Sequence, residues 1–91
     1  MLYKLFEIVE DRKNNPVEGS YTNNLLNGGI DKTAQKVGEE AIEVIIAAVE
    51  QGRQRTIEES ADLIYHLFVL LAQQDILLTE VEVELRKRHN K

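Results

Sequence analysis

The chain has 91 residues, no cysteine and a formal net charge of −5. A chain of this length is one domain, here residues 1–91, with a thin core that buries roughly 60 to 65% of the surface its unfolded form exposes. Disulfides, thiolate–metal sites and cysteine nucleophiles are excluded, and the acidic balance argues against nucleic acid or an anionic membrane surface as partner.

The first element is an amphipathic helix. Leu2, Leu5, Phe6 and Val9 recur at helical spacing, and Pro16 ends the pattern. The same stretch lacks the unbroken apolar core of a signal peptide, and no apolar run in the chain approaches the ~18 residues of a membrane span. A cytoplasmic protein that does not bind membranes is expected.

The segment NPVEGSYTNNLLNGG holds the one proline and three of the five glycines. It reads as a loop with one short helical turn around Tyr21 to Leu26. Its length and glycines predict the least constrained backbone of the chain, mobile until a ligand orders it.

Asp31 is placed to cap a long helix running to about Gln51, where Gly52 supplies a left-handed end. Thr56 and Glu59 then have the spacing of a capping box that opens a second long helix to about Gln74. Thr79 to Glu82 repeats the signal for a last helix ending near His89. The basic residues Arg86 to His89 suit its C-terminal dipole. No segment alternates with period two, so the predicted fold is all-α, a bundle of four to five helices.

The two long helices are unusual in where they carry charge. At about 100° per residue, Lys36, Glu40, Glu43 and Ala47 share one narrow sector of the first, with Glu39 and Glu50 at its margin. Apolar residues cover more than half its circumference, although a surface helix needs a stripe of only about 100°. On the second, Glu59, Asp62 and His66 fall within a sector about 60° wide, and apolar residues occupy nearly all the rest. Both helices are therefore expected to be covered on several sides, more than one 91-residue chain can manage. A homodimer whose long helices complete the bundle follows from that pattern.

Acids on a helix face are most often solvated, which suffices for Glu39, Glu50 and Glu58. The pairs Glu40 with Glu43 and Glu59 with Asp62 are different, because each sets two carboxylates on adjacent turns of a largely apolar helix. Four acids converging in a low-dielectric space need a cation to stay ionised. An all-oxygen donor set selects a hard ion, Mg²⁺ or Mn²⁺, whereas zinc would want nitrogen or sulfur and only His66 is at hand. Carboxylate-held Mg²⁺ suits hydrolysis of a phosphoanhydride, which needs phosphate charge neutralised and a water positioned. Lys36, one turn before Glu40, either pairs with a phosphate or makes an ordinary helix salt bridge. Glu39 is a candidate to orient or deprotonate the water. His66, one turn after Asp62, is placed to hold that carboxylate, and Tyr21 either stacks on a base or packs its loop.

The run EEAIE, fifteen residues, then ESAD resembles the EExxE…ExxD signature of the all-α, MazG-like nucleotide pyrophosphohydrolases. With SYTNNLL, GGIDKTAQKVGEEAIEVIIAA and EESADLIYHLFVLLA, the chain from about Leu2 to Arg88 is similar to the phosphoribosyl-ATP pyrophosphohydrolase family of histidine biosynthesis. The resemblance implies Mg²⁺-dependent cleavage of phosphoribosyl-ATP to phosphoribosyl-AMP and pyrophosphate. It carries metal ligation to Glu40, Glu43, Glu59 and Asp62, and substrate contacts to Ser20, Tyr21, Thr22, Lys32 and Lys36. The enzyme that next opens the adenine ring is fused in some relatives, and no residues are left over for it here. Two other readings remain. One is a housecleaning nucleoside triphosphate pyrophosphatase with the same metal site, against which the SYT and ADLIYH segments argue. The other is a non-catalytic helical module that binds a partner through its apolar faces, which leaves the paired acids accidental.

Overall fold

A computed structural model describes residues 1–89, which form five α-helices and, among those residues, no strand. The last two positions of the expected 1–91 domain lie outside the described residues. The helices are α1 (Leu2–Asn14), α2 (Tyr21–Asn27), α3 (Ile30–Ile46), α4 (Arg53–Gln73) and α5 (Leu78–His89). Among the described residues no single helix is long and apolar enough to cross a membrane.

α3 does not stop where its α-helical bonding ends. A single π-helical turn, Ala47–Gln51, continues it, closed by a 3.0 Å bond from the Gly52 amide to the Ala47 carbonyl. Gly52 then turns the chain at φ 92°, a conformation that a side chain would strain. α4 folds back along α3, and the two helices form a hairpin.

The buried core lies beside that hairpin rather than within it. Phe6 and Val9 of α1, Leu25 of α2, and Phe68, Val69 and Ala72 of α4 form one cluster. Phe6 and Phe68 meet edge to face, with ring centres 5.5 Å apart, a geometry aromatic quadrupoles favour. From α3 only Thr33 is fully buried. Ile42, Ile45 and Val49, together with Ile57, Ile64 and Leu67 of α4, stay exposed. Both long helices, expected to be covered on several sides, thus keep an apolar face exposed in the single chain.

Several boundaries differ from those expected. Asp31 does not cap α3; the N-cap is Gly29 at φ 87°, and Asp31 sits in the first helical turn. Thr56 does not open α4, which begins at Arg53 behind Gly52. Its hydroxyl instead donates back to the Gly52 carbonyl at 2.9 Å, so the capping box with Glu59 does not form. α5 starts one residue before Thr79, and Glu80 accepts from the Leu77 amide at 2.8 Å.

The helical turn expected around Tyr21 to Leu26 is the two-turn helix α2, and the segment is tied down at several points. Ser20 caps α2 by accepting from the Asn23 amide at 3.3 Å. Asn23, itself buried, donates to the Arg12 carbonyl and accepts from the Val17 amide, both at 2.8 Å. One side chain therefore fixes α2 to the end of α1 and to the connection between them. At the far end of α4, Lys13 donates to the Ala72 carbonyl at 2.9 Å and pairs with Asp75.

Candidate metal and nucleotide site

The α3–α4 hairpin brings together acids that are nineteen or more positions apart in the chain. One carboxylate oxygen from each of Glu40, Glu59 and Asp62 lies within 4.8 Å of the others. Glu59 is buried, the Glu40 side chain is only 13% exposed, and Asp62 opens the group to solvent. Glu43 is exposed and lies outside this group, one turn along α3.

The donor set fits a hard divalent cation. Oxygens on an octahedral Mg²⁺ lie ~2.1 Å from it and so at most about 4.2 Å apart. Small side-chain rotations would bring the three carboxylates to that spacing. Two waters and a phosphate, or Glu43 after a rotamer change, would complete the shell.

Cations already flank the acids. Lys36 Nζ lies 3.5 Å from Glu40 and 3.6 Å from Glu39. Partial burial opposes its charge, but Tyr21, Glu40 and Glu39 outweigh that and raise its pKa above the usual lysine value. On α4, Arg55 forms ion pairs with both Glu58 and Glu59. Its hydrogen bond, joined by one from Gln54, holds the Glu58 carboxyl below the usual range. Glu39 is exposed and accepts from Gln35 at 3.2 Å, in keeping with its marginal place on the helical wheel.

His66 is buried but does not hold the Asp62 carboxylate. Its Nδ1 lies 2.7 Å from the Asp62 backbone carbonyl, which can only accept, so Nδ1 carries a proton. In the neutral ring Nε2 is then the acceptor for the Tyr21 hydroxyl at 3.0 Å. Tyr21 also stacks on Tyr65 at 6.2 Å, and Thr22 hydrogen-bonds the Tyr65 hydroxyl. The SYT segment therefore lies against α4 one turn past Asp62. Burial pushes the Tyr65 phenol up. Lys32 lies over Gly28, so closely that a Cβ there would stand 2.6 Å from its Cδ.

Sequence reasoning missed Tyr65 and Arg55. Nothing local marks Tyr65, whose hydroxyl partner Thr22 and stacking partner Tyr21 are more than forty residues away, but Arg55 stands four before Glu59 as Lys36 stands four before Glu40. Two apolar clefts flank α5, one against Tyr3 and Phe6 and one along Val81 and Leu85, and neither touches the acids of α3 and α4. The three acids lie on an open surface, apart from both of these clefts.

Comparison with known proteins places the whole chain in one family. Residues 2–89 match the family model described as phosphoribosyl-ATP pyrophosphohydrolase. A phosphoribosyl-ATP pyrophosphatase of Clostridium acetobutylicum is 53% identical over all 91 residues, which span 83% of that protein. One from Listeria monocytogenes serotype 4b is 52% identical, again over the whole chain and 87% of the relative. The histidine biosynthesis bifunctional protein HisIE of Caldanaerobacter subterraneus subsp. tengcongensis is 50% identical, and there the chain spans 44% of the relative.

Proposed function

Because the chain belongs to the phosphoribosyl-ATP pyrophosphohydrolase family, we propose that it hydrolyses phosphoribosyl-ATP to phosphoribosyl-AMP and pyrophosphate in histidine biosynthesis, with Mg²⁺ held by Glu40, Glu59 and Asp62. The observation that carries this reading is the convergence of those three carboxylates across two helices. Glu43 is the fourth ligand, reached by rotation about its side chain.

A divalent ion held by these acids would supply charge neutralisation for phosphate oxygens and acidify a nearby water. The chain's own residues do the rest. Lys36, held charged by its neighbours, pairs with a phosphate oxygen beside the acids. Glu39, at the solvent edge, takes the proton of the attacking water. Ser20, Tyr21, Thr22 and Lys32 line the approach from α2 and the start of α3. His66 acts on the substrate side by fixing the Tyr21 hydroxyl. The water's oxygen bonds to one phosphorus of the anhydride as the bridging oxygen leaves with the other product, so one water is consumed per product pair.

The working unit in this reading is a homodimer. The exposed apolar residues of α3 and α4 amount to about three whole aliphatic side chains, roughly 5 to 9 kcal/mol of unburied apolar surface per chain. A second copy offers the same face and covers both. Pyrophosphate release from phosphoribosyl-ATP, compared with release from the common nucleoside triphosphates, tests the proposal. Strong preference for phosphoribosyl-ATP is expected. Equal or better turnover of free triphosphates would replace it with a housecleaning activity at the same acids, and no release from any nucleotide would leave a helical binding module.

A further inference from the structure

Glu59 is a buried carboxylate, and its one hydrogen-bonding partner among the described residues is the Arg55 guanidinium, which it shares with Glu58. A carboxylate taken out of water needs such a partner. Arg55 itself is on the surface, its side chain 47% exposed, in the first turn of α4. The pair is therefore lopsided. Glu59 depends on the cation, while Arg55 has water and a second acid to turn to.

We propose that Arg55 is an internal counter-cation that occupies Glu59 while the metal is away and must yield it for a divalent ion to bind, so that Arg55 sets the metal concentration at which the site fills. This rests on the reading of Glu40, Glu59 and Asp62 as metal ligands. The Arg55 guanidinium holds the Glu59 oxygen that a divalent ion would take, and two positive charges on one carboxylate repel at short range. Displacement relieves the repulsion, and Glu58, exposed and already bonded to Arg55, keeps the guanidinium three residues away when it leaves. Lys36 stands in the same relation to Glu40, but at 3.5 Å and already shared with Glu39, so its grip is looser.

The test is a titration of metal-free protein with Mn²⁺, followed by the paramagnetic resonance of the free ion and without nucleotide. It uses the full chain and the variants Arg55→Gln, Arg55→Lys, Arg53→Gln and Glu59→Gln, with circular dichroism confirming that each folds. Arg55→Gln should bind Mn²⁺ roughly two- to tenfold more tightly, the range expected for removing an exposed ion pair and one nearby positive charge. Arg55→Lys, which keeps charge and spacing, should stay near the unaltered protein. Arg53→Gln removes an exposed charge two residues away, with no ion pair among the described residues, and should change affinity little. Unchanged or weaker binding in Arg55→Gln, or equal tightening in Arg53→Gln, overturns the proposal while Glu59→Gln still weakens binding. If Glu59→Gln binds Mn²⁺ as the unaltered protein does, the metal site itself is misplaced and the proposal falls with it.

Discussion

Ile45 lies on the outer face of α3 and is 62% exposed in the single chain. Fully burying an isoleucine is worth about 1.5 to 3 kcal/mol, so covering the exposed part of this one contributes roughly 1 to 2 kcal/mol per copy. A two-fold interface uses each residue twice, which brings the contribution to about 2 to 4 kcal/mol, or roughly 30- to 700-fold in the dimer dissociation constant. Ile45→Glu removes all of it and adds two carboxylates that must stay hydrated. The same change costs a single chain little, since the side chain already meets water there. Sedimentation velocity across a micromolar dilution series should show the unaltered protein as a dimer and Ile45→Glu as a folded monomer. If the two sediment alike while circular dichroism shows both folded, α3 is not the interface. A stable monomer for the unaltered protein would remove the dimer altogether.

Other consequences concern the site and its supports. Glu59→Gln keeps a hydrogen-bond acceptor for Arg55 and loses only charge, so stability should change by less than about 1 kcal/mol for a pair whose partner is half in water, while turnover falls by orders of magnitude; near-normal turnover at saturating Mg²⁺ would take Glu59 out of the site. Asn23→Ala leaves the Arg12 carbonyl and the Val17 amide without their partner and should cost about 1 to 3 kcal/mol in urea denaturation, whereas a loss within error would show that water replaces the side chain. Tyr65 has a folded pKa raised above its unfolded value near 10. Its stabilising contribution is therefore complete below about pH 10 and lost as pH rises through the higher folded value. Tyr65→Phe should flatten that alkaline decline, and parallel pH–stability curves for the two proteins would contradict it.

The all-α class and the two acidic sectors were readable because both rest on helical periodicity, which needs no knowledge of what packs against what. The helix starts were not. Capping rules point to Asp31 and Thr56, side chains that suit an N-cap, but the backbone turns at Gly29 and Gly52 with positive φ. Those turns start α3 and α4 earlier than the side chains suggest. Arg53, Gln54 and Arg55 then enter α4 because arginine and glutamine are good helix formers, although no apolar residue announces it. α2 was legible as a turn around Tyr21 to Leu26, but not its anchoring, which Asn23 supplies through bonds to Arg12 and Val17. Glu40, Glu59 and Asp62 meet as their spacing suggested, whereas His66 turns to Tyr21, 45 residues away, a partner no local pattern marks. The exposed apolar face of α3 and α4 agrees with the excess of apolar residues on both wheels.

The proposed metal-dependent pyrophosphohydrolysis at the acids of the α3–α4 hairpin is decided by following both products from phosphoribosyl-ATP, with protein stripped of metal by a chelator and then given Mg²⁺. No products are expected from the stripped protein, and equimolar phosphoribosyl-AMP and pyrophosphate once Mg²⁺ is returned. Products formed at the same rate in the presence of excess chelator, or stepwise release of orthophosphate in place of pyrophosphate, would contradict it.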